Sequence, residues 1–293
     1  MQIVRLFRSV RVRDEGAGAV AGAAARARGL AALSVLGLLA AGCGVVRGED
    51  LLDNEPGAGP TVVAPDPRAL LSQARMLERA QARQAAAAKR YGLAGAPLSP
   101  PRPPAFKPFL TTEPRLARGK GAGLPAVIAR VPTRAKVVFL TVDDADAKDP
   151  DFVRMMRELD VPYSAFPMAH QRVLPPLPAA AQRDAICDQQ DLRKRASGRW
   201  PALFRPPLGA YTLETLRMAA ACGVRVVPLW NEEASPGRIA YRERGHRLQP
   251  GDIVLARTDP RRGRHGALPE AAREVLRTAR AQGFAVGALE DYV

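Results

Sequence analysis

"AKVVFLTVDDADAKDPDFVRMMRELDVP", Ala135 to Pro162, holds an apolar run that stops abruptly at two adjacent aspartates, Asp143 and Asp144. Val137 to Val142 has the continuous pattern of a strand covered on both faces. Asp149 followed by Pro150 reads as a helix N-cap with proline at the first helical position, and Phe152, Met155, Met156 and Leu159 then fall on one helical face. A buried strand followed by an amphipathic helix is the unit from which α/β folds are built.

The same alternation continues to the end of the chain. "VPYSAF" (161–166), "ALF" (202–204), "VRVVPLW" (224–230), "DIVLA" (252–256) and "FAVGAL" (284–289) read as strands. Helices are predicted over 179–194, over 212–221 closing at Gly223, and over 269–282 ending at Gly283, glycine being able to take the left-handed conformation of a helix cap. Strict alternation argues for a parallel sheet, open or closed into a barrel, in which sites lie at the C-terminal ends of strands. Asp143 and Asp144 sit at such an end. A solvated loop start or a helix-capping pair would account for them structurally. The functional reading is a division of labour in which one carboxylate binds a divalent metal and the other removes a proton from the water that the metal activates.

Ahead of this region the chain has a different texture. Arg5, Arg8, Arg11, Arg13, Arg26 and Arg28 precede the apolar run Leu30 to Ala41, which is too short for the about 20 residues that span a bilayer but suits the core of a signal peptide. "AAGC", Ala40 to Cys43, resembles the lipobox of bacterial lipoproteins, which implies lipidation of Cys43 and an exported protein held on the outer face of the cell membrane. Residues 1–43 are then a lipoprotein-type signal peptide and 44–130 a Pro/Arg-rich tether. The tether includes one weakly amphipathic helix over 67–90, ended by Gly92, and the extended "GAPLSPPRPPAFKP", Gly95 to Pro108. The net charge of +15 invites an anionic partner. Without zinc-finger spacing, an aromatic-interleaved basic patch or a basic recognition helix, nucleic acid is excluded as that partner.

Three segments in order resemble the motifs of the polysaccharide deacetylases of carbohydrate esterase family four: "VVFLTVDDA" (137–145) their T-F-D-D-G, "LFRPPLGAY" (203–211) their R-P-P-[YF]-G, and "LQPGDIVLAR" (248–257) the late strand that ends in L-x-H. The resemblance covers 131–293 and implies a distorted, here shortened, (β/α) barrel. It also implies metal-dependent removal of acetyl groups, with zinc or another divalent ion, from chitin-like polymers or peptidoglycan. Carried over by position, Asp143 is the general base, Asp144 a metal ligand, and Arg205 the residue that orients the base. Leu255 lines the pocket for the acetyl methyl, and Trp230 with Glu232 or Glu233 borders the substrate cleft.

The departures define a second reading. The H-[ST]-x-x-H metal motif is missing, and Pro167 to Pro176 leaves no room for a third strand with its crossover, which needs at least about 10 to 12 residues. His170 falls near one missing ligand, out of register. Arg257 stands where the proton-donating histidine is placed, and a guanidinium that stays protonated cannot donate and recover a proton. Val142, Ala145 and Leu208 also depart from the motifs, and His246 and His265 lie in polar, Arg-rich surroundings. The expectations are therefore an envelope-anchored deacetylase with impaired activity or a non-catalytic, carbohydrate-binding or decaying relative. A third reading, Asp144 and Asp146 as the D-x-D of a haloacid-dehalogenase-type phosphatase, meets Ala147 where Thr or Val is required. Cys187 and Cys222 lie in or beside successive helices without metal-ligand neighbours, and in an exported domain they are predicted to form a disulfide.

Overall fold

The computed structural model describes residues 66–117, 123–143, 149–166, 173–198, 201–258 and 267–293. The chain divides into two units, Met1–Val62 and Val63–Val293, and all described residues lie in the second. Asp144, His170, His265 and Cys43 fall outside the described residues.

The elements in chain order are α1 (Pro67–Arg90), β1 (Ala126–Ile128), β2 (Val137–Asp143), α2 (Pro150–Glu158), β3 (Ser164–Phe166), α3 (Ala179–Ser197), α4 (Leu213–Ala221), β4 (Val226–Pro228), β5 (Glu232–Ser235), β6 (Arg238–Tyr241), β7 (Ile253–Ala256), α5 (Ala267–Ala281) and β8 (Ala285–Gly287). Local chemistry explains several of their ends. Asp149 accepts from the amides of Asp151 and Phe152 at the start of α2, and Thr212 and Thr215 form a reciprocal capping box on α4. Gly223 and Gly283 take positive φ just past their helices.

In the main sheet the order is β3-β2-β7-β5-β6, with β8 also paired to β2, and β1 and β4 form a separate parallel pair. All pairings of β2 are parallel, with Thr141 beside Leu255 and Val142 beside Ala256 in β7, and Asp143 beside Phe166 in β3. The mixed α/β architecture is thus as expected, but not strictly alternating: β5 and β6 form an antiparallel hairpin turning at Gly237, whose φ is +80°.

Because side chains alternate along a strand, the main sheet divides two cores. Val137, Phe139, Ile253, Leu255 and Phe166 join Trp230, Leu216 and Leu229 on one face. Val138, Leu140, Val142, Val254 and Ala256 pack on the other against Met155 and Met156 of α2 and Leu268, Val275 and Leu276 of α5. The folded unit starts earlier than the expected boundary at 131. Ala87, Ala88, Leu93 and Leu116 are buried, β1 pairs with β4, and the Lys107 ammonium donates to the carbonyls of Glu290 and Val293. Their apolar surface packs on the domain, so this stretch is not a free spacer over its whole length.

The structure also joins Cys187 of α3 to Cys222, just past α4, with an S–S distance of 2.03 Å.

Candidate functional site

Thr141 and Asp143 project from the same face of β2, two residues apart, and Arg205 reaches both. The Arg205 Nη1 donates to Thr141 Oγ1 at 2.9 Å and lies 3.6 Å from Asp143 Oδ1, an ion-pair distance longer than a hydrogen bond. Nε donates to Pro228 O at 2.9 Å and Nη2 to Leu229 O at 3.4 Å. Thr141 passes the chain of bonds on by donating to Val254 O of β7 at 2.9 Å. Phe166 lies under the guanidinium, 4.2 Å from its carbon to the ring centroid, and Trp230 packs at 5.4 Å.

Burial dominates the electrostatics of Arg205. Removal from water lowers its pKa to about 10, opposed by the Asp143 carboxylate, so the guanidinium remains charged near neutrality. Asp143 keeps about a quarter of its side chain exposed at the sheet end. A carboxylate held by a fixed cation and still open to solvent can accept a proton or a hydrogen bond from a ligand at that edge.

Arg257 follows β7 as Asp143 ends β2, the two strands being in register at Val142 and Ala256. Its Nη1 donates to Glu233 Oε1 at 3.0 Å. The place in which the resemblance puts a proton donor is therefore held by one half of an ion pair.

The other expected cleft residues are placed differently. Glu233 pairs with Leu255 and faces Arg257, but Glu232 pairs with Val254 and projects from the opposite face of the sheet, into the core under α5. It is 1 % exposed and so does not border a cleft. Burial first, and then the neighbouring Asp252 carboxylate, push its pKa up to about 9, so the carboxyl is protonated at neutral pH. Trp230 and Leu255 are also buried, at 5 % and 1 % exposure. Trp230 fills the space beside Gly209, where an added Cβ would meet the indole at 3.2 Å. Its role here is to pack Arg205 and the "RPPLG" turn. In that turn Leu208 holds φ at +56° with its side chain 62 % exposed, a strained backbone for a residue other than glycine.

Sequence reasoning missed a second polar network. Asp252 is fully buried and accepts from Arg130 Nε at 2.6 Å, from Asn231 Nδ2 at 3.1 Å and from the amide of Gln249 at 2.6 Å. Arg115 donates to Asn231 Oδ1 and to Glu113, and both Arg115 and Arg130 reach Glu243. It also missed Thr141, though a hydroxyl in an apolar strand, on the same face as Asp143, was a readable signal.

Among the described residues no three His, Cys, Asp or Glu side chains are grouped so as to hold a metal ion. The two ligands assigned by resemblance, Asp144 and His170, lie outside those residues, so the described ones do not make up the implied zinc site.

No family model matches the chain. A protein of Streptomyces coelicolor, the uncharacterized protein SCO4760, is 36% identical over 200 residues, which span 59% of this chain and 80% of that one. The chain belongs to the family of SCO4760. Among solved structures, similarity extends over 57% of the chain to BA3943 of Bacillus anthracis, described as a family-four carbohydrate esterase pseudoenzyme (18% identity, 69% of that chain, TM-score 0.47). It extends over 53% to a family-four carbohydrate esterase of Streptomyces lividans (18%, 94% of that chain, TM-score 0.43) and over 58% to the chitin deacetylase of Colletotrichum lindemuthianum (11%, 92% of that chain, TM-score 0.47).

Proposed function

We propose that this protein is an exported relative of the polysaccharide deacetylases that engages an acetylated cell-wall or chitin-like glycan with little turnover, held at the membrane through a lipidated Cys43. The observation that carries the reading is the ion pair of Arg257 with Glu233 at 3.0 Å. A guanidinium remains protonated throughout the range in which a histidine would exchange its proton, so the leaving amine has no donor at that position. Asp143, fixed beside Arg205, remains able to accept a hydrogen bond from the glycan.

A second reading, a working metal-dependent deacetylase, is favoured by one feature. Asp143 and Phe166, the last residues of β2 and β3, are register partners in parallel strands, so a described carboxylate lies at the C-terminal end of that strand pair. Zinc held there would polarise the acetyl carbonyl and activate water.

One experiment separates the two. Metal content, acetate release from acetylated chitooligosaccharides and peptidoglycan fragments, and retention on the same glycans are measured on the purified protein. Well under one equivalent of metal, negligible acetate and measurable retention are expected. One bound zinc with brisk deacetylation, abolished by Asp144→Ala, would overturn the low-turnover reading, and failure to be retained on any acetylated glycan would remove the binding role. Equal membrane partitioning of the wild type and Cys43→Ala would remove the anchor.

A further inference from the structure

Helix α1 runs well past the part of the domain on which it packs. Its C-terminal turns are anchored, with Ala87 and Ala88 buried and Gln84 Nε2 donating to Leu159 O at 2.7 Å. Every residue from Pro67 to Arg83 is exposed. Leu70, Leu71, Met76 and Leu77 are 49 %, 60 %, 69 % and 57 % exposed.

The charge distribution indicates what that surface meets. At about 100° per residue, Arg68, Arg75, Arg79 and Arg83 fall on one side of the helix, away from Ala88, and Leu71 and Met76 border the row on its two sides. Arg68, Leu71, Ser72, Arg75, Met76 and Arg79 line one shallow groove. Glu78 is the one acidic residue of α1, and among the described residues none of the four arginine side chains pairs with a carboxylate. A second copy seated on this face would oppose one arginine row with another. The face fits a surface that is dense in phosphate and apolar just beneath. Among the described residues no helix is long and apolar enough to cross a membrane, so contact of this kind is made lying on it.

We propose that the exposed part of α1 is an anionic-bilayer contact, with the four guanidiniums on lipid phosphates and Leu71 and Met76 at the acyl boundary. The inference goes beyond the glycan reading and requires neither lipidation of Cys43 nor any property of the Asp143 site.

The test uses the full chain with Cys43→Ser, alone and with Arg68→Gln, Arg75→Gln, Arg79→Gln and Arg83→Gln together, so that every other basic segment is common to both. Cosedimentation is measured with phosphatidylcholine vesicles lacking or containing phosphatidylglycerol. An arginine near an anionic surface strengthens binding roughly fivefold, so the fourfold variant is expected to lose between about tenfold and several hundredfold in affinity for the anionic vesicles. The two chains are expected to bind neutral vesicles equally, and the difference is expected to shrink in high salt. Four lysines in place of the arginines are expected to restore most of the affinity, and Leu71→Gln with Met76→Gln to weaken vesicle binding. All these positions are exposed, and matching far-UV circular dichroism unfolding curves check that the fold is retained. Equal affinity of the two chains for anionic vesicles would overturn the proposal. So would soluble poly(glycerol phosphate) held as tightly as the vesicles, with no effect of the Leu71 and Met76 changes, since the partner would then be a polyanion and not a bilayer.

Discussion

Glu232→Gln should change how stability depends on pH. In the folded chain the Glu232 carboxyl keeps its proton up to about pH 9, against 4.5 ordinarily, because burial and then the Asp252 carboxylate disfavour its ionised form. Between those limits the folded protein holds a proton that the unfolded chain has released, so stability is greatest below 4.5 and falls as pH rises, by about 1.4 kcal/mol per pH unit. Over the interval from 4.5 to 7 the loss reaches about 3 kcal/mol, a sizeable part of the 5 to 15 kcal/mol typical of a domain. Glutamine is close in shape to the protonated acid but has no proton to lose. In urea titrations followed by circular dichroism, the variant minus wild-type difference in unfolding free energy is expected to grow in favour of Gln from pH 5 to pH 8 and to level off above about 9. Other titrating groups cancel in that difference. A difference independent of pH over this range would mean that Glu232 is ionised in the folded protein and would refute the argument.

Arg205→Met removes the partners of the Pro228 and Leu229 carbonyls and of Thr141, and should cost about 3 kcal/mol or more in urea unfolding; a loss under about 1 kcal/mol would show that the guanidinium does not hold the strands. Reduction of the Cys187–Cys222 bond, which closes a sequence separation of 35, should lower stability by up to about 4 kcal/mol on the chain-entropy model. The check is the fall in melting temperature on adding a reductant, with Cys187→Ser/Cys222→Ser unaffected by it, and mass spectrometry of the unreduced protein finding both thiols free would contradict the bond.

Legibility in the sequence followed the range of the interactions. Asp149-Pro150, Thr212, Gly223 and Gly283 act within a turn of their own helices, and each marks a helix end where the pattern placed it. Arg205 was readable because "RPPLG" is a local motif. Glu232 was misread because the face on which a strand residue lies depends on register with a neighbour, here Val254, and adjacent glutamates carry no label that tells them apart. The hairpin β5–β6 has its turn glycine, but two consecutive glutamates are poor strand formers and concealed it. β1 is three residues long, and the bond of Arg130 to Asp252 spans 122 positions, a distance over which no local pattern survives.

Arg205 bonds to Thr141 of β2, to the end of β4 and, through Thr141, to β7, so it ties three strands together from one side chain. A lineage that gave up hydrolysis would still be selected to keep this arginine, since losing it is expected to cost about 3 kcal/mol or more of the domain's stability. The signature by which such chains are recognised is therefore in part a fossil of architecture, and its persistence says little about whether turnover survives. Evidence of a living enzyme has to be sought where the scaffold gains less from keeping a residue, at the partly exposed Asp143 and Arg257 beside the C-terminal ends of β2 and β7.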